Sequence, residues 1–150
     1  MKTLLIGYGN STRSDDGVGI EVAEAIGRLN LSHVETRTSQ QLHVDLLEDF
    51  HDFQRIYLVD VALASKEVEI VRVNTQASGM TSSHHLSADL LLVLARAIGY
   101  KIPEIYVCRI PGEDFSFGNK LSALARAGAA DAQKKLTRLL EASEALHARG

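Results

Sequence analysis

The sequence predicts an α/β fold, a three-layer α/β/α sandwich around a mostly parallel twisted sheet. Three observations predict it. Short apolar runs, of the kind found in strands buried on both faces, occur at Lys2 to Tyr8, Arg55 to Asp60 and Glu104 to Ile110. Segments with the spacing of amphipathic helices lie between and after these runs. The two patterns alternate as βαβαββαβα, the order in which helices cross over between parallel strands.

The first apolar run ends on Gly7-Tyr8-Gly9-Asn10, a strand running into a tight turn. From Gly17 onwards Val18, Val22, Ala25, Ile26 and Leu29 follow the helical period, and Asp15 and Asp16 before them supply N-cap chemistry and favourable charge at the positive end of the helix dipole. Val34, Thr36 and Thr38 alternate with charged residues, as in a half-exposed strand. Leu42, Leu46, Leu47 and Phe50 then predict a second amphipathic helix. The run from Arg55 closes on the carboxylate Asp60, and the weaker alternation of Val68 to Val73 fits an edge or antiparallel strand. Ser87 to Ile98 reads as a helix with Ser87 as N-cap and Gly99 as its stop. After the strand at Glu104 to Ile110, Leu121 to Leu146 is helical with a break expected near Gly128.

A chain of 150 residues with no linker, charge block or repeat is expected to form a single domain over residues 1–150. With Lys+Arg 16 against Asp+Glu 19 the formal charge is -3, so no basic excess draws it to nucleic acid or to an anionic membrane. The apolar run at its start is too short for a signal sequence and no stretch suffices to span a bilayer, which points to a cytoplasmic location. The one cysteine, Cys108, excludes an internal disulfide and a Cys-rich metal site, and within a strand it reads as a small buried hydrophobe. Any metal here is held by oxygen and imidazole.

In a sheet of this kind ligands gather beyond the carboxyl ends of the strands. That rule selects the loop Gly7 to Gly19 with Asp15 and Asp16, the strand end at Asp60, and the segment Thr81 to His85 before a helix. A dinucleotide reading of Gly7-x-Gly9 fails at the third glycine, since position 12 is Thr, and no Walker lysine follows, so no nucleotide cofactor is expected. One carboxylate suffices to cap a helix. A second beside it repels the first unless a cation or hydrogen-bond donors are near. Asp60 at the end of a central strand is costly to desolvate without a partner. Asp, Asp and His together make an O/O/N donor set suited to zinc, nickel, manganese or iron. His84 and His85 point to opposite sides of an extended segment, so at most one of them joins Asp60. His33, His43, His51 and His147 read as solvated, and the serines include no Gly-x-Ser-x-Gly elbow.

The segment Gly7-Tyr8-Gly9-Asn10 through Asp15-Asp16-Gly17-Val18-Gly19 resembles the N-terminal signature of the nickel-iron hydrogenase maturation endopeptidases. Leu58-Val59-Asp60 is similar to that family's second acidic strand end. Ser82 to Ser87 before a Leu-rich helix is similar to its histidine segment, and Gly112 to Gly118 with Leu121-Ser122 to its late loop. The four motifs occur in order between residue 1 and about residue 135.

The resemblance implies a hydrolase that removes the C-terminal extension of a hydrogenase large-subunit precursor after nickel insertion. Its partner would be that precursor, met by a monomer that docks transiently. It places the metal-contacting and catalytic residues on Asp16, Asp60 and His84, with Asp15 left as a cap or supporting residue. His84 is preferred to His85 because the histidine followed by x-Leu-Ser aligns better. The resemblance further implies that nickel arrives with the substrate as the recognition signal, although zinc or another divalent cation could occupy such a site. A metal that polarises the scissile carbonyl, or acidifies a bound water, serves a protease without a serine or cysteine nucleophile. Two alternatives stay open on the sequence: a generic metallopeptidase on the same scaffold, and a non-proteolytic metal-sensing chaperone for a hydrogenase subunit. The late loop, with Phe115 and Phe117 among acidic residues, reads first as a core-anchored loop with solvated charges and second as a grip on the extension.

Overall fold

A computed structural model describes residues 2–74 and 86–149. Five strands, β1 (Thr3–Tyr8), β2 (Val34–Ser39), β3 (Arg55–Ala62), β4 (Glu69–Arg72) and β5 (Glu104–Pro111), form one sheet in the order β2-β1-β3-β5-β4. All pairings are parallel except that of β4 with β5. The helices are α1 (Val18–Gly27), α2 (Leu46–Asp49), α3 (Leu86–Ile98) and α4 (Ala123–Arg149). The predicted fold class and element order are both found.

Strand alternation divides the core in two. Leu4, Ile6, Ile56, Leu58, Ile105 and Val107 face α2 and α3, where they meet Leu46, Leu47, Phe50, Leu91, Leu92 and Ala95. Leu5, Tyr57, Val59, Cys108 and Ile110 face the other way, against Val18, Val22 and Ile26 of α1 and Ala132, Leu136 and Leu140 of α4. Burial on both sides is why β1, β3 and β5 read as continuous apolar runs, each large side chain contributing about 1.5–3 kcal/mol. β4, at the sheet edge with exposed Glu69, Val71 and Arg72, carries the weaker alternation.

Four local expectations are corrected. Asp15 and Asp16 cap nothing: they lie in a 3-10 turn, Ser14–Gly17, and the residue preceding α1 is Gly17, with no side-chain cap bond. The second helix is only four residues long, because Leu46, Leu47 and Glu48 close i to i+3 bonds to His43, Val44 and Asp45, residues with weak helix propensity. Leu42 nonetheless packs on the core as its spacing predicts. No break occurs at Gly128, which lies within α4; a Cβ there would stand 2.9 Å from Ile110 Cγ2, so this glycine brings the helix close to β5. Further on, α3 begins at Leu86, which puts Ser87 inside the helix instead of before it. Gly99 ends that helix as expected, at φ 77°.

The close approach of α1 to the sheet depends on Gly19, whose Cβ would lie 2.4 Å from the Val59 carbonyl oxygen. Because that obstacle is backbone in the middle of the sheet, Gly19→Ala is expected to destabilise by about 3 kcal/mol or more. A urea titration of the variant checks this, and an unchanged midpoint would contradict it.

Candidate active site

The parallel strands β1, β3 and β5 end along one rim, and the sequence-predicted carboxylates lie there. β1 stops at Tyr8 and the chain reverses through Gly9, at φ 144°. A Cβ on Gly9 would stand 1.9 Å from the Asp16 carbonyl oxygen, so only glycine lets the 3-10 turn fold back onto the end of β1. That fold-back places Asp16 Oδ2 2.8 Å from the Asn10 backbone N–H, which donates to it. Asn10 Oδ1 in turn accepts from the Thr12 backbone N–H and hydroxyl, at 3.0 and 2.6 Å.

Asp60 is the sixth residue of β3 and half-buried. Its Oδ1 accepts the Val61 backbone N–H at 2.8 Å, and the Tyr8 phenol donates to the carboxylate. Burial and the charge of Asp60 both push the phenol's pKa above its ordinary value. Both carboxylates are therefore fixed about the end of β1, Asp16 through the N–H of Asn10 and Asp60 through the side chain of Tyr8.

Register adds a residue the sequence reading did not single out. Tyr8 pairs with Ser39, Asp60 with Arg109, and Arg109 with Glu69. Tyr8 also follows Gly7, which pairs with Val59, so a polar row crosses the whole sheet as Ser39, Tyr8, Asp60, Arg109, Glu69. The row lies on the same face as Ile6, Leu58 and Val107, two residues beyond them, and marks where the core gives way to the rim. Arg109 Nη1 stands 3.7 Å from Glu69 Oε2. Asp60, Glu69 and Arg109, together with Val107 and residues 61–65, line a cleft of about 210 Å³. The available signal for Arg109 was a guanidinium at an inward position of an apolar run, and it needed the strand order to acquire a neighbour.

Asp15 does something the sequence did not reveal. It is 0% exposed, and its carboxylate accepts four hydrogen bonds from the late loop: Oδ2 from the N–H groups of Glu113 and Asp114 (2.8 and 2.9 Å) and from Ser122 Oγ (2.7 Å), Oδ1 from the Ser122 N–H (2.8 Å). Burial alone would raise its pKa. The donors of Glu113, Asp114 and Ser122 outweigh burial and hold it below the ordinary value. Backbone bonds add to this clamp, from Ser14 N–H to the Gly118 carbonyl (2.8 Å), Gly118 N–H to Thr12 (2.9 Å) and Asp15 N–H to Asp114 (2.8 Å). The first and last sequence motifs are thus one hydrogen-bonded unit. Glu113 and Asp114 are solvated as expected, but the loop is held by its backbone, and Phe117 is exposed rather than packed in the core.

His84 and His85 lie outside the described residues. Among the described residues no group of three His, Cys, Asp or Glu side chains is placed to hold a metal ion. His33, His43 and His51 are exposed, and the side chain of His147 is also outside the description. Cys108 is buried, and burial pushes its thiol up to about 12, in keeping with its reading as a small hydrophobe. No described helix is long and apolar enough to cross a membrane.

By sequence the chain matches no family model and no curated protein. Its structure does find counterparts. It is similar to the hydrogenase maturating endopeptidase HybD from E. coli, with a TM-score of 0.78 at 19% identity over 95% of this chain and 94% of that one. The NiFe hydrogenase maturation protease HybD from Thermococcus kodakarensis is similar with a TM-score of 0.67 at 21% identity, covering 93% and 99% of the two chains. The corresponding protease HycI from Thermococcus kodakarensis KOD1 gives 0.71 at 18% identity, covering 93% and 92%. Over nearly its whole length, this chain has the fold of the hydrogenase maturation endopeptidases.

Proposed function

We propose that the protein is an endopeptidase that removes a C-terminal extension from the nickel-loaded precursor of a hydrogenase large subunit. The observation that carries this reading is the coincidence of the HybD-like fold with two carboxylates, Asp16 and Asp60, fixed about the end of β1 at the strand rim. Solved proteins that share the fold are named hydrogenase maturation proteases.

In this reading nickel belongs to the substrate. Asp16, Asp60 and His84 contact it, and the trio reads whether the precursor is loaded before cleavage. Hydrolysis consumes one water: its oxygen bonds to the scissile carbonyl carbon, the carbon–nitrogen bond breaks, and a proton passes to the departing amine. A carboxylate at the rim accepts the proton released by the water, and the metal supplies polarisation of the carbonyl or acidification of the water. Asn10 and Tyr8 keep the two carboxylates oriented, the service that supporting donors perform for metal-contacting groups. The protein works in the cytoplasm as a monomer that docks transiently on the precursor.

The test is the intact mass of a large-subunit precursor, isolated with and without nickel and incubated with the protein. A discrete C-terminal fragment is expected from the nickel-loaded form only. Asp16→Ala and His84→Ala are expected to abolish its release, whereas His85→Ala retains it. A nickel-loaded precursor that stays whole with the wild type would overturn the proposed activity.

A further inference from the structure

We propose that Arg13 and Phe117 form a preformed knob that docks onto the folded body of the precursor beside the cleavage site, an inference that rests on the reading above. Phe117 is 81% exposed, the most exposed large hydrophobic side chain among the described residues. A single apolar side chain on a surface needs no explanation by itself. Two features set this one apart.

The first is its company. The Arg13 guanidinium lies over the Phe117 ring, 4.6 Å from its centroid. The guanidinium meets the ring as a cation over its face, and one of its N–H groups donates to the Phe115 carbonyl at 3.5 Å. Aromatic residues and arginine are enriched in protein interfaces, where a few buried side chains carry most of the binding energy.

The second is its rigidity. The backbone carrying Phe117 is tied to the loop carrying Arg13 by the bonds from Ser14 to Gly118, from Gly118 to Thr12 and from Ser14 Oγ to the Ser116 carbonyl (2.8 Å), and the whole is clamped by buried Asp15. An exposed loop immobilised in this way loses little entropy when it docks, so more of the burial of its aromatic side chain appears as affinity.

Position and shape name the occupant. Arg13 accepts the Asp16 N–H through its carbonyl at 3.1 Å and donates its own N–H to Asn10 at 3.0 Å, so the knob is continuous with the turn that holds Asp16. A protein whose extension reaches that turn brings its own surface against Phe117. A projecting aromatic side chain is best received by a concave apolar patch, which calls for a folded partner surface and not a short extended peptide. Carboxylate or carbonyl oxygens at the rim of that patch would meet the planar fork of Arg13. Selection of the precursor by this contact adds to the reading of its metal.

Steady-state processing of the nickel-loaded precursor, followed by intact mass, tests this with Phe117→Ala, Arg13→Ala, Phe117→Trp and, as a control on the exposed face of α4, Leu139→Ala. Phe117→Ala is expected to raise KM about tenfold or more while kcat stays within about twofold, as removal of a docking contact does. Arg13→Ala shifts KM in the same direction, Phe117→Trp shifts it less than Phe117→Ala does, and Leu139→Ala leaves it unchanged. An unaltered KM for Phe117→Ala, or a loss of kcat in its place, would overturn the docking role while the endopeptidase reading stands. A wild type that leaves the precursor uncut overturns both, and the two failures are told apart by the wild-type reaction alone.

Discussion

If Asp60 contacts the precursor's nickel as proposed, its replacement by alanine is expected to slow cleavage by at least about a hundredfold, since even the outer partners of metal-contacting groups are worth about 10–100-fold. The fold is expected to survive. Asp60 is half-buried at the rim, beyond the last core positions of β3, and its bonds include those to Val61 and Tyr8. Its removal deprives the partly buried Tyr8 phenol of an acceptor, a loss of about 1–3 kcal/mol. Tyr8→Phe separates orientation from contact. That variant keeps the carboxylate and loses the donor that aims it, so it is expected to cut at a rate between those of wild type and Asp60→Ala. Intact-mass time courses beside thermal melts measure both quantities. Full cleavage by a folded Asp60→Ala protein would remove Asp60 from the site.

The largest expected loss of stability belongs to Asp15→Ala, about 3–5 kcal/mol, because it leaves buried donors without the charge they were arranged around. At this chain length that lowers the melting temperature by about 10 °C. Acid tests the same clamp from the other side. The folded pKa of Asp15 lies below its ordinary value of 3.8, so its contribution is fully present well above pH 3.8 and is lost as pH falls from there through the folded value. Wild-type unfolding free energy should therefore decline more steeply over that acid range than that of Asp15→Ala. Parallel acid limbs in urea titrations would mean the carboxylate is not stabilised as described. Asp15→Asn is expected to rescue little, since its amide nitrogen would face donors where Asp15 presents a second acceptor oxygen.

What the sequence made legible depended on the range of the physics involved. β1, β3 and β5 declared themselves because burial on two faces leaves a local composition, and β4 because an edge strand leaves a weaker one. Asp16 and Asp60 could be placed at strand ends for the same reason. Asp15 could not be assigned, because its partners Glu113 and Ser122 lie 98 and 107 residues away and a local reading sees only a helix beginning nearby. Arg109 needed register: alone it is a charge inside a strand, and only the pairing of β3 with β5 and of β5 with β4 puts it between Asp60 and Glu69. The length of α2 was misread because Leu42, Leu46, Leu47 and Phe50 reach one apolar surface through successive tight turns as well as through a regular helix. The late loop, with Phe115 and Phe117, reads as anchored in the core, whereas the backbone bonds that fix it leave no trace in hydrophobicity and Phe117 is exposed.

The clamp on Asp15 also orders events in time. A contact that joins residue 15 to residue 122 has a high sequence separation, and its loop-closure entropy must be met before the bond returns anything. On a ribosome the glycine turn emerges early, but its carboxylate finds its donors only after β5 and the start of α4 have been synthesised. Until then Asp15 is an ordinary solvated acid and the turn that carries Asp16 has lost its main brace. A nascent chain therefore has no finished rim, and the rim is completed late, together with the C-terminal quarter of the chain.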